Sequence, residues 1–275
     1  MLTILQGSDL HFGKPHLPGV ARSFIEAVHE VAPDVITLVG DFTQRAKVSE
    51  YRQVRDLLAT LPDVPVVVTP GNHDVPLYRI HERLLSPYRN YRRYVSSKLD
   101  TVTRVTGAVF VALHSSSPRR RIVNGTITRG QLDLLARIFQ EAPEEEVRIL
   151  VTHHPLAPPP DGGEDRLLPG NDWILDRLRD TRVDLVLGGH LHRSFSTCSS
   201  SVQVGHRGNG DIPIVHCGTA TSSRGRMAEK GRNSFNVLKV AAGEIEVITH
   251  WFEEGSDRFV ARASGMIPRS AVRHV

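Results

Sequence analysis

Cysteine is nearly absent from this chain: Cys198 and Cys217 are the only two in 275 residues, and neither sits in a CxxC pair. That excludes a thiolate-held zinc site and leaves oxygen and imidazole donors for any metal. The two thiols read as ordinary reduced side chains. Long apolar runs are missing too. Apolar stretches such as 35–39, 64–68 and 183–187 are far too short to cross a bilayer. The first residues, Met1-Leu2-Thr3-Ile4-Leu5, lack the basic region and long apolar core of a secretion signal. A cytoplasmic location is the expectation. No internal repeat, heptad run or low-complexity tract occurs, and nothing marks a linker. A single domain over 1–275 is therefore expected, strand-rich from about residue 194.

Strong charge of one sign is also lacking. The net charge is +4 with a sequence pI near 9.3, and arginine outnumbers lysine. That excess favours anionic substrates but falls short of a nucleic-acid-binding signature. The densest basic run, Arg119-Arg120-Arg121, reads as a solvated loop. A hydrophobic content of 40% is enough to bury a substantial core, so wholesale disorder is excluded.

What is present is the alternation of short apolar strands with helical periods that marks α/β architecture. Strands are expected at 3–7, 35–39, 64–69, 101–105, 109–113, 147–152 and 183–187. Helices are expected at 18–31, at 49–61 with Ser49 as N-cap, at 77–97, from the Thr128 cap to 140, and at 172–179. From Ser194 onward the pattern changes to short strands at 195–197, 201–204, 212–215, 235–240 and 244–251, the last two joined by a hairpin turn at Ala241-Ala242-Gly243. The segment 155–170, dense in Pro, Gly and Asp, reads as a long irregular loop of the kind often tied to function.

Five short motifs carry the chemistry: Asp9-Leu10-His11, Gly40-Asp41, Gly71-Asn72-His73-Asp74, His153-His154-Pro155 and Gly189-His190-Leu191-His192. Each follows a predicted strand, and that edge of a parallel α/β sheet is where ligands bind. A pair of divalent metals needs a ligand that can bridge them, and a carboxylate with two oxygens does so. Asp41 is the natural bridge, because Gly40 allows a tight turn and close backbone approach. Imidazoles suit Zn, Fe, Co and Mn, and Asn72 offers a neutral carbonyl oxygen. The outer residues of Asp-Leu-His and His-Leu-His stand two apart, which in extended backbone aims both at one site. Taken singly, each motif is weak. Together, in this order and at strand ends, they form a strong signal of a metal site.

These motifs resemble the calcineurin-like metallophosphoesterase superfamily, and within it the bacterial branch that includes cyclic-nucleotide phosphodiesterases. The resemblance runs from Asp9 to His192 and on through Gly218-Thr219-Ala220. It implies a four-layer αββα sandwich, two mixed β-sheets face to face with helices outside. It further implies that Asp9, His11, Asp41 and His192 hold one metal and that Asp41, Asn72, His153 and His190 hold the other, the ions being Mn, Fe, Zn or Co. His73 is then the non-ligand histidine beside the scissile phosphate. The implied reaction is hydrolysis of a phosphodiester, a cyclic nucleotide or another small diester, by in-line attack of a metal-bound hydroxide. His73 would neutralise charge and protonate the leaving oxygen.

Protein phosphatases of the superfamily carry an aspartate three residues after the bridging one, paired with the active-site histidine. Here that position is Gln44, which brings no charge, so His73 should be less readily protonated and a protein phosphatase is disfavoured. Arg45 and Arg224 are candidate substrate contacts. Asp74 and His154 read as supports behind the ligands, and His29, His81, His206, His216, His250 and His274 as incidental. Repair nucleases share the motifs but usually add a DNA-capping domain and coiled-coil segments. Neither is seen, so nucleic acid is a less favoured substrate. A phosphomonoesterase or a lipid-linked pyrophosphatase is the remaining alternative, the latter without the amphipathic entrance it would favour.

Overall fold

The computed structural model describes residues 1–119, 123–161, 167–202 and 211–268. Arg120 and Arg121 of the basic run, the centre of the loop at 155–170, the end of the strand expected at 201–204, His206 and His274 lie outside the described residues.

The elements follow in the order β1 (Leu2–Gly7), α1 (Pro18–Val31), β2 (Val35–Val39), α2 (Val48–Leu58), β3 (Val66–Thr69), α3 (Ile80–Leu85), α4 (Arg89–Tyr94), β4 (Thr101–Val105) and β5 (Ala108–Ala112). After these come α5 (Arg129–Gln140), β6 (Val147–Val151), α6 (Asn171–Asp180), β7 (Leu185–Gly188), β8 (Phe195–Cys198), β9 (Pro213–His216), β10 (Ser234–Val240), β11 (Glu244–Glu253) and β12 (Arg258–Pro268). One six-stranded sheet runs β12-β11-β10-β1-β2-β3 and the other β4-β5-β6-β7-β9-β8. Both are mixed: β1, β2 and β3 are parallel and β10 joins β1 antiparallel, while β5, β6, β7 and β9 are parallel with antiparallel β4 and β8 at the edges.

The central strands are apolar at nearly every position because both of their faces are covered. Successive side chains of a strand point to opposite faces. Ile4 accordingly enters the layer between the sheets while Leu5 joins the layer under the helices. Phe110 and Ile149 point inward with Ile4, and Val109, Val111 and Leu150 point outward. The outer layer of the first sheet is filled by Phe24 and Val28 of α1 and by Tyr51 and Val54 of α2. That of the second is filled by Leu135 and Phe139 of α5 and by Leu175 and Leu178 of α6. Three apolar layers between four layers of structure make this the αββα sandwich.

Several local expectations change. The N-terminal turn of α2 is not capped by Ser49. The Glu50 carboxylate instead accepts from the main-chain N–H of Arg45 (2.8 Å) and Lys47 (3.1 Å), and the helix ends at Leu58. The helix expected over 77–97 is two short ones, because Pro87 lacks an amide hydrogen and forces Ser86 out of helical geometry. Residues 199–201 form a 3-10 turn where the start of a strand was expected. Strand β12 has no counterpart in the sequence reading, since nine of its eleven side chains are exposed and it carries no burial pattern. The hairpin at 241–243 forms, closed by Ala241 N–H to the Glu244 carbonyl at 2.9 Å.

Candidate metal centre

All five motifs lie on one rim, at the carboxyl ends of parallel strands from both sheets. The first sheet delivers Asp9 and His11 after β1, Asp41 after β2 and Asn72 after β3, and the second delivers His153 after β6 and His190 and His192 after β7. Asp9, His11, Asp41 and His192 each place a donor atom within 4.8 Å of the others, and so do Asp41, His153 and His190. Asn72 completes the second group: its Oδ1 lies 2.9 Å from His190 Nδ1 and 3.3 Å from His153 Nε2. Asp41 belongs to both groups. Its Oδ1 is 3.4 Å from His153 Nε2 and its Oδ2 is 3.6 Å from His11 Nε2, so its two oxygens face different donor groups.

The backbone reaches this arrangement in a way the spacing does not reveal. Asp9, His11, Asp41, His190 and His192 all have positive φ, between 47° and 72°. The Asp-Leu-His and His-Leu-His segments are therefore not extended, and their outer side chains converge because both ends are left-handed. Gly40 is also left-handed at φ +75°, and a Cβ there would stand 2.4 Å from His153 Nδ1. At Gly71 an added Cβ would meet Asp41 Oδ1 at 2.2 Å.

Hydrogen bonds aim the donors. His153 Nδ1 donates to the Val39 carbonyl (2.8 Å) and His192 Nδ1 to the Arg224 carbonyl (2.7 Å), which leaves each Nε2 free for a cation. Ser8 Oγ donates to Asp9 Oδ2 at 2.6 Å, and the His190 N–H donates to the same oxygen at 3.0 Å. Asp74 is not among the grouped donors. Its carboxylate gathers the N–H groups of Gly71 (2.9 Å), Phe42 (3.2 Å) and Thr43 (2.9 Å), locking the turn that carries Asp41 to the turn that carries Asn72. His154 is buried against the rings of His153 and His190, its Nδ1 2.8 Å from Ser115 Oγ.

Two observations show that the cluster suits cations. Asp9 Oδ1 and Asp41 Oδ2 are buried carboxylate oxygens that accept no hydrogen bond from a main-chain N–H or a hydroxyl among the described residues. They face only imidazole nitrogens, His192 Nε2 at 3.1 Å and His11 Nε2 at 3.6 Å, an arrangement that calls for positive charge beside it. The imidazoles respond to the same field. Burial alone would lower His153, but the Asp41 carboxylate raises it to about 9. Burial takes His11 down to about 3, keeping it neutral as a ligand must be. Both carboxyls sit well below their usual range: burial opposes this, and His192 at Asp9 and His153 at Asp41 outweigh it.

His73 stands at the edge of the cluster, its ring 4.8 Å from that of His11 in an edge contact. Its main-chain N–H donates to Asp41 Oδ1 at 2.7 Å, and its Nδ1 donates to the main-chain carbonyl of Gln44 at 3.0 Å. Burial lowers its pKa, opposed by Asp41 and the Gln44 carbonyl. The Gln44 side chain bonds elsewhere, its Oε1 accepting from Arg224 Nη1 at 3.1 Å. Arg45 lies over the ring of Tyr78, 5.1 Å from its centroid. Ser8, the Val39 carbonyl and Ser115 were not singled out from the sequence. A serine or a main-chain carbonyl in a turn carries no signature there.

The comparisons agree with this geometry. Residues 2–194 match the calcineurin-like phosphoesterase family. A Synechococcus protein named as a probable cyclic nucleotide phosphodiesterase is 28% identical over 210 residues, covering 70% of this chain and 74% of that one. The Escherichia coli 3',5'-cyclic adenosine monophosphate phosphodiesterase CpdA is 28% identical over 207 residues, 70% of each chain. A probable glycerophosphodiester phosphodiesterase from Arcobacter nitrofigilis is 28% identical over 178 residues, 62% of this chain and 61% of that one. Among solved structures, PhoD superposes on 98% of this chain and 70% of its own with TM-score 0.70 at 13% identity, which speaks for the fold alone. With its match spanning most of the length and its five motifs converging on one rim, the chain belongs to the calcineurin-like phosphoesterase family.

Proposed function

We propose that this protein is a dinuclear metal-dependent phosphodiesterase of the cytoplasm that hydrolyses cyclic nucleotides or another small diester. The observation that carries this reading is the placement of Asp41, whose two oxygens face separate sets of buried donors. Asp9, His11, Asp41 and His192 would hold one ion, and Asp41, Asn72, His153 and His190 the other. The imidazole and carboxylate mixture fits Mn, Fe, Zn or Co. When bound, such a pair supplies Lewis acidity at the phosphoryl oxygens and acidifies water for attack on phosphorus.

The chain's own residues account for the rest. His73 has its Nδ1–H committed to the Gln44 carbonyl, so Nε2 is the atom left for the substrate. In its protonated form Nε2 donates to the leaving oxygen, and in its neutral form it accepts. Arg224, bonded to Gln44 beside that imidazole, brings a guanidinium to phosphoryl oxygens. Arg45 follows Gln44 directly and adds a second positive charge. The relatives named as cyclic nucleotide phosphodiesterases support this substrate class.

The test is hydrolysis of bis(p-nitrophenyl) phosphate against p-nitrophenyl phosphate, with Mn, Fe, Zn or Co supplied, followed by a panel of cyclic nucleotides. Preference for the diester and turnover of at least one cyclic nucleotide is the expected result. Absence of turnover with every metal, and identical behaviour of His73→Ala and wild type, would overturn the reading.

A further inference from the structure

Tyr78 is an exposed aromatic ring held in place, five residues beyond His73. Its side chain is 73% exposed, and the Arg45 guanidinium covers one face. The strand of main chain beneath is pinned along its length. Gln44 O accepts from His73 Nδ1 at 3.0 Å, and Glu50 Oε2 accepts from Arg45 N at 2.8 Å. Arg79, the neighbour of Tyr78, donates from Nη1 to Arg45 O at 3.1 Å and from Nη2 to Ala46 O at 2.8 Å. The candidate catalytic imidazole is thus bonded to the main chain at Gln44, and the guanidinium–tyrosine pair is carried by the next residue, Arg45. Arg45 also lies near enough to Arg224 for the two guanidiniums to repel. An anionic group bound at Arg224 and His73 therefore sits within reach of a flat π surface with one open face.

From this juxtaposition we infer that Tyr78, backed by Arg45, is the stacking platform for the base of a nucleotide diester and sets the preference for nucleotides over diesters without a ring. The inference rests on the phosphodiesterase reading above and adds to it the part of the substrate that is recognised. Physically, an aromatic ring whose far face is occupied by a guanidinium has a smaller ordering cost when a base arrives on the near face, and every base offers a π face. A glycerophosphodiester has an anion for Arg224 but nothing flat for Tyr78.

The experiment uses the metal-loaded enzyme with wild type, Tyr78→Ala and Tyr78→Phe. KM for 3',5'-cyclic AMP should rise about 5- to 30-fold in Tyr78→Ala and return to within about threefold of wild type in Tyr78→Phe. kcat should change little, and KM for glycerophosphoethanolamine should stay within twofold in all three. Calorimetric binding of AMP and of ribose 5-phosphate gives a readout that needs no turnover: wild type should prefer AMP by about fivefold or more, and Tyr78→Ala should lose that preference. If cyclic nucleotides are cleaved and bound equally by wild type and Tyr78→Ala, the platform is overturned. If no cyclic nucleotide is cleaved but the Tyr78-dependent preference for AMP persists, the cyclic-nucleotide reading fails and the platform stands.

Discussion

The main-chain carbonyl of Gln44 accepts a hydrogen bond from His73 Nδ1 at 3.0 Å, so the histidine is oriented by backbone at the position where protein phosphatases of this superfamily use an aspartate. The side chain of Gln44 is thereby released to bind Arg224. Substitution at Gln44 should then act on Arg224 and leave His73 in place. Gln44→Ala is expected to raise KM for the preferred diester about 3- to 10-fold, the worth of one partly buried hydrogen bond to a charged group, with kcat and its pH profile little changed. Steady-state kinetics from pH 6 to 9 would check this, and a displaced pH profile would count against it.

His73→Ala should keep both metals and lose rate. Neither ligand set includes His73, so metal analysis of the variant should match wild type. Loss of the general acid should lower kcat about 100- to 10,000-fold for substrates with poor leaving groups. The loss should be smaller for p-nitrophenyl esters, whose leaving group needs no proton.

Removing the metals should destabilise the fold, because each ligand set draws on both sheets. At metal concentrations 100 times Kd the linkage is worth about 2.7 kcal/mol per site. For a chain of this size that amounts to several degrees in Tm by calorimetry before and after chelation. Asp41→Ala should abolish most of the difference, since Asp41 is shared by both sets.

Gly40→Ala should lose the second ion selectively. The new Cβ would press on His153 Nδ1, where it meets Val39 O, and the φ of +75° adds about 1–2 kcal/mol of backbone strain. Metal titration should show one site near its wild-type affinity and one weakened at least tenfold.

Glu229 supplies a pH test away from the ligands. Burial raises its carboxyl from the usual range to about 7, against donors at Ser194 N and Ser234 Oγ. A raised carboxyl stabilises the fold in its protonated form, so this contribution is present below about pH 4.5 and is lost as the pH climbs through about 7. Glu229→Gln should therefore gain stability over wild type on going from pH 5 to pH 8, by up to about 3 kcal/mol, seen as a rise in relative Tm. Thermal melts of the metal-free proteins at the two pH values would measure it.

The sequence displayed the central parallel strands clearly, because burial on both faces leaves largely apolar runs such as Val35–Val39. It displayed α1 to the residue, since Pro18 opens it and the Phe24 and Val28 face is continuous. It was silent on β12, whose exposed side chains leave only main-chain pairing to define it. Pro87 is visible in the stretch 77–97, but the Arg- and Tyr-rich residues around it bury almost nothing in either short helix, so no apolar face bounds the two separately. The gathering of these donors on one rim was legible from their order at strand ends. Their backbone geometry was not, since spacing of two means convergence in an extended chain and here arises from left-handed turns. The acceptor of His73 was hidden for a different reason: a main-chain carbonyl has no letter in the sequence.

Those left-handed turns restrict what mutation can reach. Asp9, His11, Asp41, His190 and His192 occupy a backbone region that costs most side chains about 1–2 kcal/mol, and Asp, Asn and His are the residues enriched there. The same three types also bind borderline divalent ions well. Glutamate or glutamine could still offer an oxygen, but would be penalised by the turn as well as misplaced by the extra methylene. The peptide backbone at this rim thus acts as a filter on the amino-acid alphabet before any ion arrives, and a drifting sequence would meet that filter even while the centre was idle.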